Sequence, residues 1–183
     1  MGKLFSLGHK IIHFPTLKIS PKILRPINPE KYDAFIFTSA NAIRNLRLSK
    51  IDKNKVCFCV GSITEKIVRQ KGYINTFSAG GTVNALKNLI INSGNLDKKK
   101  VLAYICGDNI TSELDLELKR EGFQIDKIVN YNSEKIKELN KETNKIINAH
   151  PPDIIFVYSS RSAESFVELV KKYSLNGQMT GSR

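Results

Sequence analysis

Tryptophan is absent from the 183 residues, and cysteine, methionine and histidine number only 3, 2 and 3. An odd set of thiols, Cys57, Cys59 and Cys106, builds no disulfide framework and points to a reducing compartment. Cys57 and Cys59 fall on one face of an apolar segment at 56–60, where a free cysteine packs as a small hydrophobe. His9, His13 and His150 are dispersed, so no zinc or Ser-His-Asp constellation is visible. No apolar run approaches the roughly 18 residues of a membrane span. The start, Met1 to His9, turns polar too soon for a secretory signal. These absences predict a cytoplasmic protein with no membrane partner. Neither a Gly-x-Gly-x-x-Gly run nor a Walker glycine-lysine loop occurs, which disfavours dinucleotide and nucleoside triphosphate sites.

Acidic residues are also in deficit, 17 against 29 Lys and Arg, for a net charge of +12. A cationic chain attracts polyanions. A chain rich in Lys, Ile and Asn throughout gives the same charge as plain solvated surface, and both readings stand. The lysines fall on helix faces and in loops, as at Lys98-Lys99-Lys100 and from Lys135 to Lys145. They do not form a stripe interleaved with aromatics, so nucleic acid is not expected as a partner.

What is present is one pattern written twice. Asp33 introduces Ala34-Phe35-Ile36-Phe37 and then Thr38-Ser39-Ala40-Asn41-Ala42. Asp153 introduces Ile154-Ile155-Phe156-Val157 and then Tyr158-Ser159-Ser160-Arg161-Ser162. Each copy reads as a buried parallel strand ending in small hydroxyl residues that open a helix. Such a junction presents free backbone N–H groups and a positive helix end, a seat for an anion. Two copies predict two α/β units around one polyanionic ligand.

Between the copies, strands are expected at 34–37, 56–60, 73–77, 101–105 and 125–131. Helices are expected at 40–48, 62–71 and 111–121, with another capped by Thr82 and carrying Val83, Leu86, Leu89 and Ile90 at helical spacing. Residues 11–19, broken by Pro15, suit an edge or linker strand, and residues 4–9 read as the end of a helix. A lysine-rich helix around 134–149 ends at Pro151-Pro152, before a strand at 154–157 and a helix at 161–173. Strands alternating with helices predict an α/β fold with a doubly wound parallel sheet.

Four strand ends carry small or hydroxyl residues: Thr38-Ser39-Ala40-Asn41, Val60-Gly61-Ser62-Ile63-Thr64, Ser78-Ala79-Gly80-Gly81-Thr82 and Cys106-Gly107-Asp108-Asn109. In a doubly wound sheet these ends share one rim, where ligands bind. Helix capping alone also selects Ser, Thr and Gly there, so either role accounts for any single position.

Taken in order, these residues resemble the uroporphyrinogen-III synthase family. The resemblance runs through Leu7-Gly8-His9 and Pro15, Phe35 to Ala42, Val60 to Thr64, Tyr104-Ile105-Cys106-Gly107, Gly122-Phe123, Val129-Asn130-Tyr131 and Phe156 to Ser160, up to about Leu175. It implies two α/β domains joined by a two-stranded linker, with the active site in a cleft. One domain would be 22–128, the other 1–16 plus 136–183, and the linker strands 17–21 and 129–135. An opening strand with a Thr-Arg-Pro-like turn and a later strand with an Ile-Gly-x-x-Thr-Ala-like turn find no match. The first-and-last domain is therefore expected to be incomplete in this chain, and its competence is a matter for measurement.

The resemblance further implies a cofactor-independent lyase of haem biosynthesis, monomeric, with no metal. It would cyclise hydroxymethylbilane with loss of water and inversion of ring D, and would contact hydroxymethylbilane synthase transiently. Tyr131 matches the family tyrosine best placed to donate a proton, with a packed strand tyrosine as the competing role. Thr38, Ser39, Ala40, Asn41, Gly61, Ser62, Thr64, Gly107, Ser159 and Ser160 match substrate-contacting segments, again with capping as the competitor. Apart from the resemblance, a cytosolic two-domain module that binds a small anion without catalysis also fits the rim.

Overall fold

The computed structural model describes residues 5–22, 26–48, 52–94, 96–175 and 177. The chain divides into two compact units, one from Ile19 to Ser133 and one formed by the stretch up to Lys18 with that from Glu134 onward.

The larger unit is organised by β2 (Ala34–Phe37), whose four residues are all fully buried. Residues apolar on both faces can be buried only in the middle of a covered parallel sheet. β2 accordingly pairs in parallel with β3 (Val56–Cys59) and with β5 (Val101–Gly107). β3 pairs outward with β4 (Thr76–Ser78), and β5 with β6 (Gln124–Lys135), also in parallel. With β1 (Leu17–Pro21) the sheet order is β1-β6-β5-β2-β3-β4. Winding runs from β2 out to β4, returns to β5 on the other side, and so reverses between β2 and β5.

Period-two alternation sends Phe35 and Phe37 to one face of the sheet and Ala34 and Ile36 to the other. The first face is covered by α1 (Ala40–Arg44) and α2 (Ser62–Gln70) through Ala42, Ile43 and Val68. The second is covered by α3 (Val83–Ile91) and α4 (Leu114–Arg120) through Leu86, Ile90, Leu114 and Leu118.

Lys22 N donates to Asn130 O at 3.0 Å and Ile136 N to Thr16 O at 2.9 Å, an antiparallel sense for β1 and β6. β6 therefore continues to Lys135, and the lysine-rich helix predicted from 134 begins only at α5 (Lys141–Ala149). Asn140 caps that helix, its Oδ1 accepting from Thr143 N at 2.6 Å. The helix predicted to reach 48 stops at Arg44, and the strand predicted at 73–77 is reduced to β4. Of the helix end predicted at 4–9, Phe5 and Ser6 are helical and Leu4 lies outside the described residues.

The smaller unit packs α5 and α6 (Ser160–Lys172) around Leu139, Ile147, Val170 and Leu175. Ser165 Oγ donates to Thr16 O at 2.7 Å, and Leu139 N donates to Tyr173 Oη at 3.1 Å. The second copy of the repeated pattern departs from expectation here. Residues 154–157 form no strand, and Ile154, Phe156 and Val157 are exposed. Apolar, β-branched sequence makes a strand only where a neighbouring backbone completes its hydrogen bonds. Among the described residues none does so, and no parallel pairing is seen within this unit.

The three thiols pack as predicted. Burial, its largest influence, pushes the Cys59 thiol up to about 12, with Glu65 adding and Arg69 opposing. Burial likewise raises Cys106 to about 11 and Cys57 further still. A group whose folded value exceeds its unfolded one contributes stability that is complete below the ordinary value and lost as pH rises toward the folded value. Stability should therefore hold up to the ordinary thiol range and then fall as pH rises further. Thermal melts from about pH 7.5 to 10.5 check this, and a flat profile would contradict it.

Candidate functional site at the winding reversal

At the ends of β2 and β5 the sheet opens into a rim, because the flanking crossovers leave in opposite directions. Thr38 and Ser39 follow β2. Thr38 continues the face of Ala34 and Ile36, and its Oγ1 lies 3.3 Å from Tyr104 Oη. Ser39 is the extended residue before α1, and its Oγ accepts from Asn41 N at 3.2 Å. Ala40 and Asn41 form the first turn, with Asn41 Oδ1 accepting from Arg44 Nη1 at 3.3 Å. Gly107 ends β5.

Tyr131 reaches this rim from β6. Cys106 pairs with Val129 but Gly107 pairs with Tyr131, so Asn130 is an extra residue, a bulge in the parallel ladder. Its effect is large, because inserting one residue reverses the side-chain alternation. Val129 packs on the α3/α4 face; strict alternation would put Tyr131 there too, yet Tyr131 lies in the α1/α2 core. Its ring sits directly against Gly107. A Cβ built there would sit 2.6 Å from two ring carbons and 2.9 Å from the phenol oxygen.

Burial, the leading cause, raises the Tyr131 phenol above its ordinary value; a hydrogen bond with the Ser39 side chain opposes this, and Cys106 and Asp108 add to it. The phenol is therefore protonated throughout the neutral range, equipped to give a proton rather than take one. The loop after β5 holds it in place. Asp108 N donates to Tyr131 O at 3.1 Å, and Asp108 Oδ1 accepts from Ser133 N at 2.9 Å. For Asp108 the largest single influence, burial, acts upward, but hydrogen bonds from Asn109 and Ser133 together outweigh it and hold the carboxyl below its usual range.

The neighbouring turns complete the rim. Gly61 precedes α2 with no side-chain cap, and a Cβ there would meet Gly81 Cα at 3.4 Å, so the two turns pack backbone to backbone. Gly81 has φ +96, a left-handed conformation that glycine takes without strain. Ser62 is exposed at the head of α2, whereas Thr64 is buried on its inner side. Thr82 caps α3 as predicted, accepting from Ala85 N at 3.1 Å.

The structure thus gathers Thr38, Ser39, Ala40, Asn41, Gly107 and Tyr131 about one point, with Gly61, Ser62 and Thr64 at the next strand end. Ser159 and Ser160 belong to the other unit. There Ser159 Oγ accepts from Ser162 N at 3.1 Å and pairs with Ser162 Oγ at 2.9 Å, at the start of α6. Tyr104, Asp108 and Asn130 lie within segments singled out in the sequence, but no individual role was assigned to any of them. The one available signal was Asn130, a polar residue within the apolar run of β6. Among the described residues no cluster of His, Cys, Asp and Glu could hold a metal ion, and no helix is long and apolar enough to cross a membrane.

A solved uroporphyrinogen-III synthetase from Helicobacter pylori matches with a TM-score of 0.58 and 22% identity, covering 83% of this chain and 68% of that one. A mutant uroporphyrinogen III synthase from Thermus thermophilus matches at 0.55 and 15% identity, covering 97% and 75%. At these identities the likeness establishes the fold. No curated protein matches the chain. The sequence model of uroporphyrinogen-III synthase HemD, however, matches residues 2–181. With nearly its whole length matched, and with a fold shared with solved synthases, the chain belongs to the uroporphyrinogen-III synthase family, cyclising enzymes of haem biosynthesis.

Proposed function

We propose that this chain closes hydroxymethylbilane to uroporphyrinogen III, with Tyr131 as the proton donor for the departing hydroxyl. The observation that carries this reading is the placement of a protonated, buried phenol at the winding reversal, seated on a residue with no side chain. Loss of water from the hydroxymethyl end generates an azafulvenium. Hydroxide is a far stronger base than phenolate, so a phenol within reach protonates it as it leaves. Closure through a spiro intermediate then inverts ring D. Holding the two ends of a flexible tetrapyrrole together supplies much of the acceleration, through orientation rather than a strong nucleophile.

The substrate's carboxylates are assigned to the backbone N–H groups and hydroxyls of Thr38, Ser39, Ala40 and Asn41, of Gly61 and Ser62, and of Gly107. Thr64, being buried, would act through the start of α2, and Ser159 and Ser160 through the start of α6. We read residues 22–128 as one α/β domain, 1–16 with 136–183 as the other, and 17–21 with 129–135 as the linking strands. The passage of the chain between the two units within β1 and within β6 supports this division. A cytoplasmic monomer in transient contact with hydroxymethylbilane synthase completes the reading. Family membership favours it over a non-catalytic anion-binding module.

Isomer analysis tests the proposal. Freshly generated hydroxymethylbilane closes spontaneously to the type I product, and a type III excess over the control without protein is the expected result. Type I alone would refute synthase activity of this chain. If the substrate still bound, the anion-binding module would become the better reading.

A further inference from the structure

We infer that Asn130 is a positioning residue for the cyclisation, holding the bulge that turns Tyr131 toward the reacting end of the substrate. This rests on the reading of Tyr131 as proton donor. The bulge has no local cause: its residues are neither glycine nor left-handed, since the positive-φ residues of the described chain are Gly8, Gly72, Gly81, Gly94, Gly122 and Ser174. What retains it is a tertiary hydrogen bond. Asn130 Nδ2 donates to Ala42 O at 2.7 Å in a fully buried setting, and Asn130 O accepts from Lys22 N at 3.0 Å. The backbone carbonyl is thus bound to the residue that follows β1 and the side chain to α1, which fixes the extra residue from both sides.

The geometry is selective for an amide. Asn130 Oδ1 has no hydrogen-bond partner although the residue is 2% exposed. A buried unpaired acceptor is unfavourable, and reversing the amide would set two oxygens against each other at Ala42. Only the donor end is used. The carbonyl it ties belongs to the helix that Ser39 opens, and Ser39 contacts the Tyr131 hydroxyl. One side chain therefore links the position of the phenol to the position of α1. Without it, β6 can revert to regular pairing, which would send residue 131 to the opposite face.

The test is a double-variant cycle joined to a titration of the phenol. Asn130→Ala should lower kcat about 10- to 30-fold with KM changed less than about twofold, a partial loss of the roughly 100-fold or larger contribution of a general acid. Asn130→Ser, which keeps a hydroxyl donor, should lose less and covers the case in which the alanine variant does not fold. In a Tyr131→Phe background, Asn130→Ala should cause no further loss, because the group it positions is already gone. Equal losses in both backgrounds would overturn the inference. A silent Tyr131→Phe would refute the donor assignment instead, and the two failures are thereby separate. Independently of activity, the Tyr131 phenol, followed by carbon-13 labelling at Cζ, should titrate lower in Asn130→Ala than in the parent. An unmoved titration would show that Asn130 does not hold the ring.

Discussion

Tyr131→Phe is expected to lower kcat on the order of 100-fold while leaving KM within about twofold, the low end of what a general acid contributes. The substitution removes one oxygen from a ring that is otherwise retained, so packing against Gly107 and the α1/α2 core persists. It forfeits the contact with Ser39, worth about 1 kcal/mol net, and also removes a hydroxyl that is partly desolvated. The melting temperature should therefore shift by only a few degrees, and activity and stability separate. Measuring kcat, KM and the thermal midpoint on one preparation checks this. An unchanged kcat would eliminate Tyr131 as donor. The pH profile gives a second check. Because burial raises the phenol above its ordinary value, its acid form persists through neutrality and is lost only as pH climbs past the tyrosine range. No alkaline limb from this group should appear below about pH 10.

Gly107→Ala should damage both properties at once. The new methyl would fall 2.6 Å from ring carbons of Tyr131, a separation that carbon atoms do not tolerate. The ring cannot simply retreat: Tyr131 is part of the α1/α2 core, and its backbone carbonyl is held by Asp108 N. Either the phenol is expelled or β5 and β6 separate. Overpacking of this kind costs about 1–3 kcal/mol. In a unit of this size that is a fall of roughly 4–12 °C in melting temperature. Activity should drop as far as in Tyr131→Phe, since the donor is displaced. A companion variant isolates the cause: adding Tyr131→Leu to Gly107→Ala should recover much of the stability and none of the activity. A Gly107→Ala protein with parental stability and activity would show that the close approach has no consequence.

Much of this was legible beforehand, for reasons that can be located. Ala34-Phe35-Ile36-Phe37 could be read as a central strand because only burial on both faces accommodates that run, and its pairing on both edges agrees. Ser39, Thr82 and Ser159 could be read as helix starts because the cap is a local hydrogen bond. Residues 154–157 carry the same local signal and yet form no strand, since pairing depends on a partner that local sequence does not contain. The bulge was illegible for a related reason: Asn130 is held by Ala42, 88 positions away. Gly107 was noted as a small residue at a strand end, suited to an anion. What the sequence did not show is that a side chain there would collide with the Tyr131 ring arriving from the adjacent strand.

The division of the chain has a further consequence, for the order in which its parts can assemble. The smaller unit is built from an early and a late stretch, joined by contacts such as Ser165 to Thr16, 149 positions apart. The larger unit is continuous in sequence. During synthesis it is available to fold while residues that complete the smaller unit are still unmade. Once folded, it holds the intervening chain in a compact state, which shrinks the loop that the smaller unit must close and so reduces its entropic penalty. Dependence then runs in one direction. A lesion in β5 or β6 should impair assembly of both units, whereas one in α6 should leave the larger unit intact.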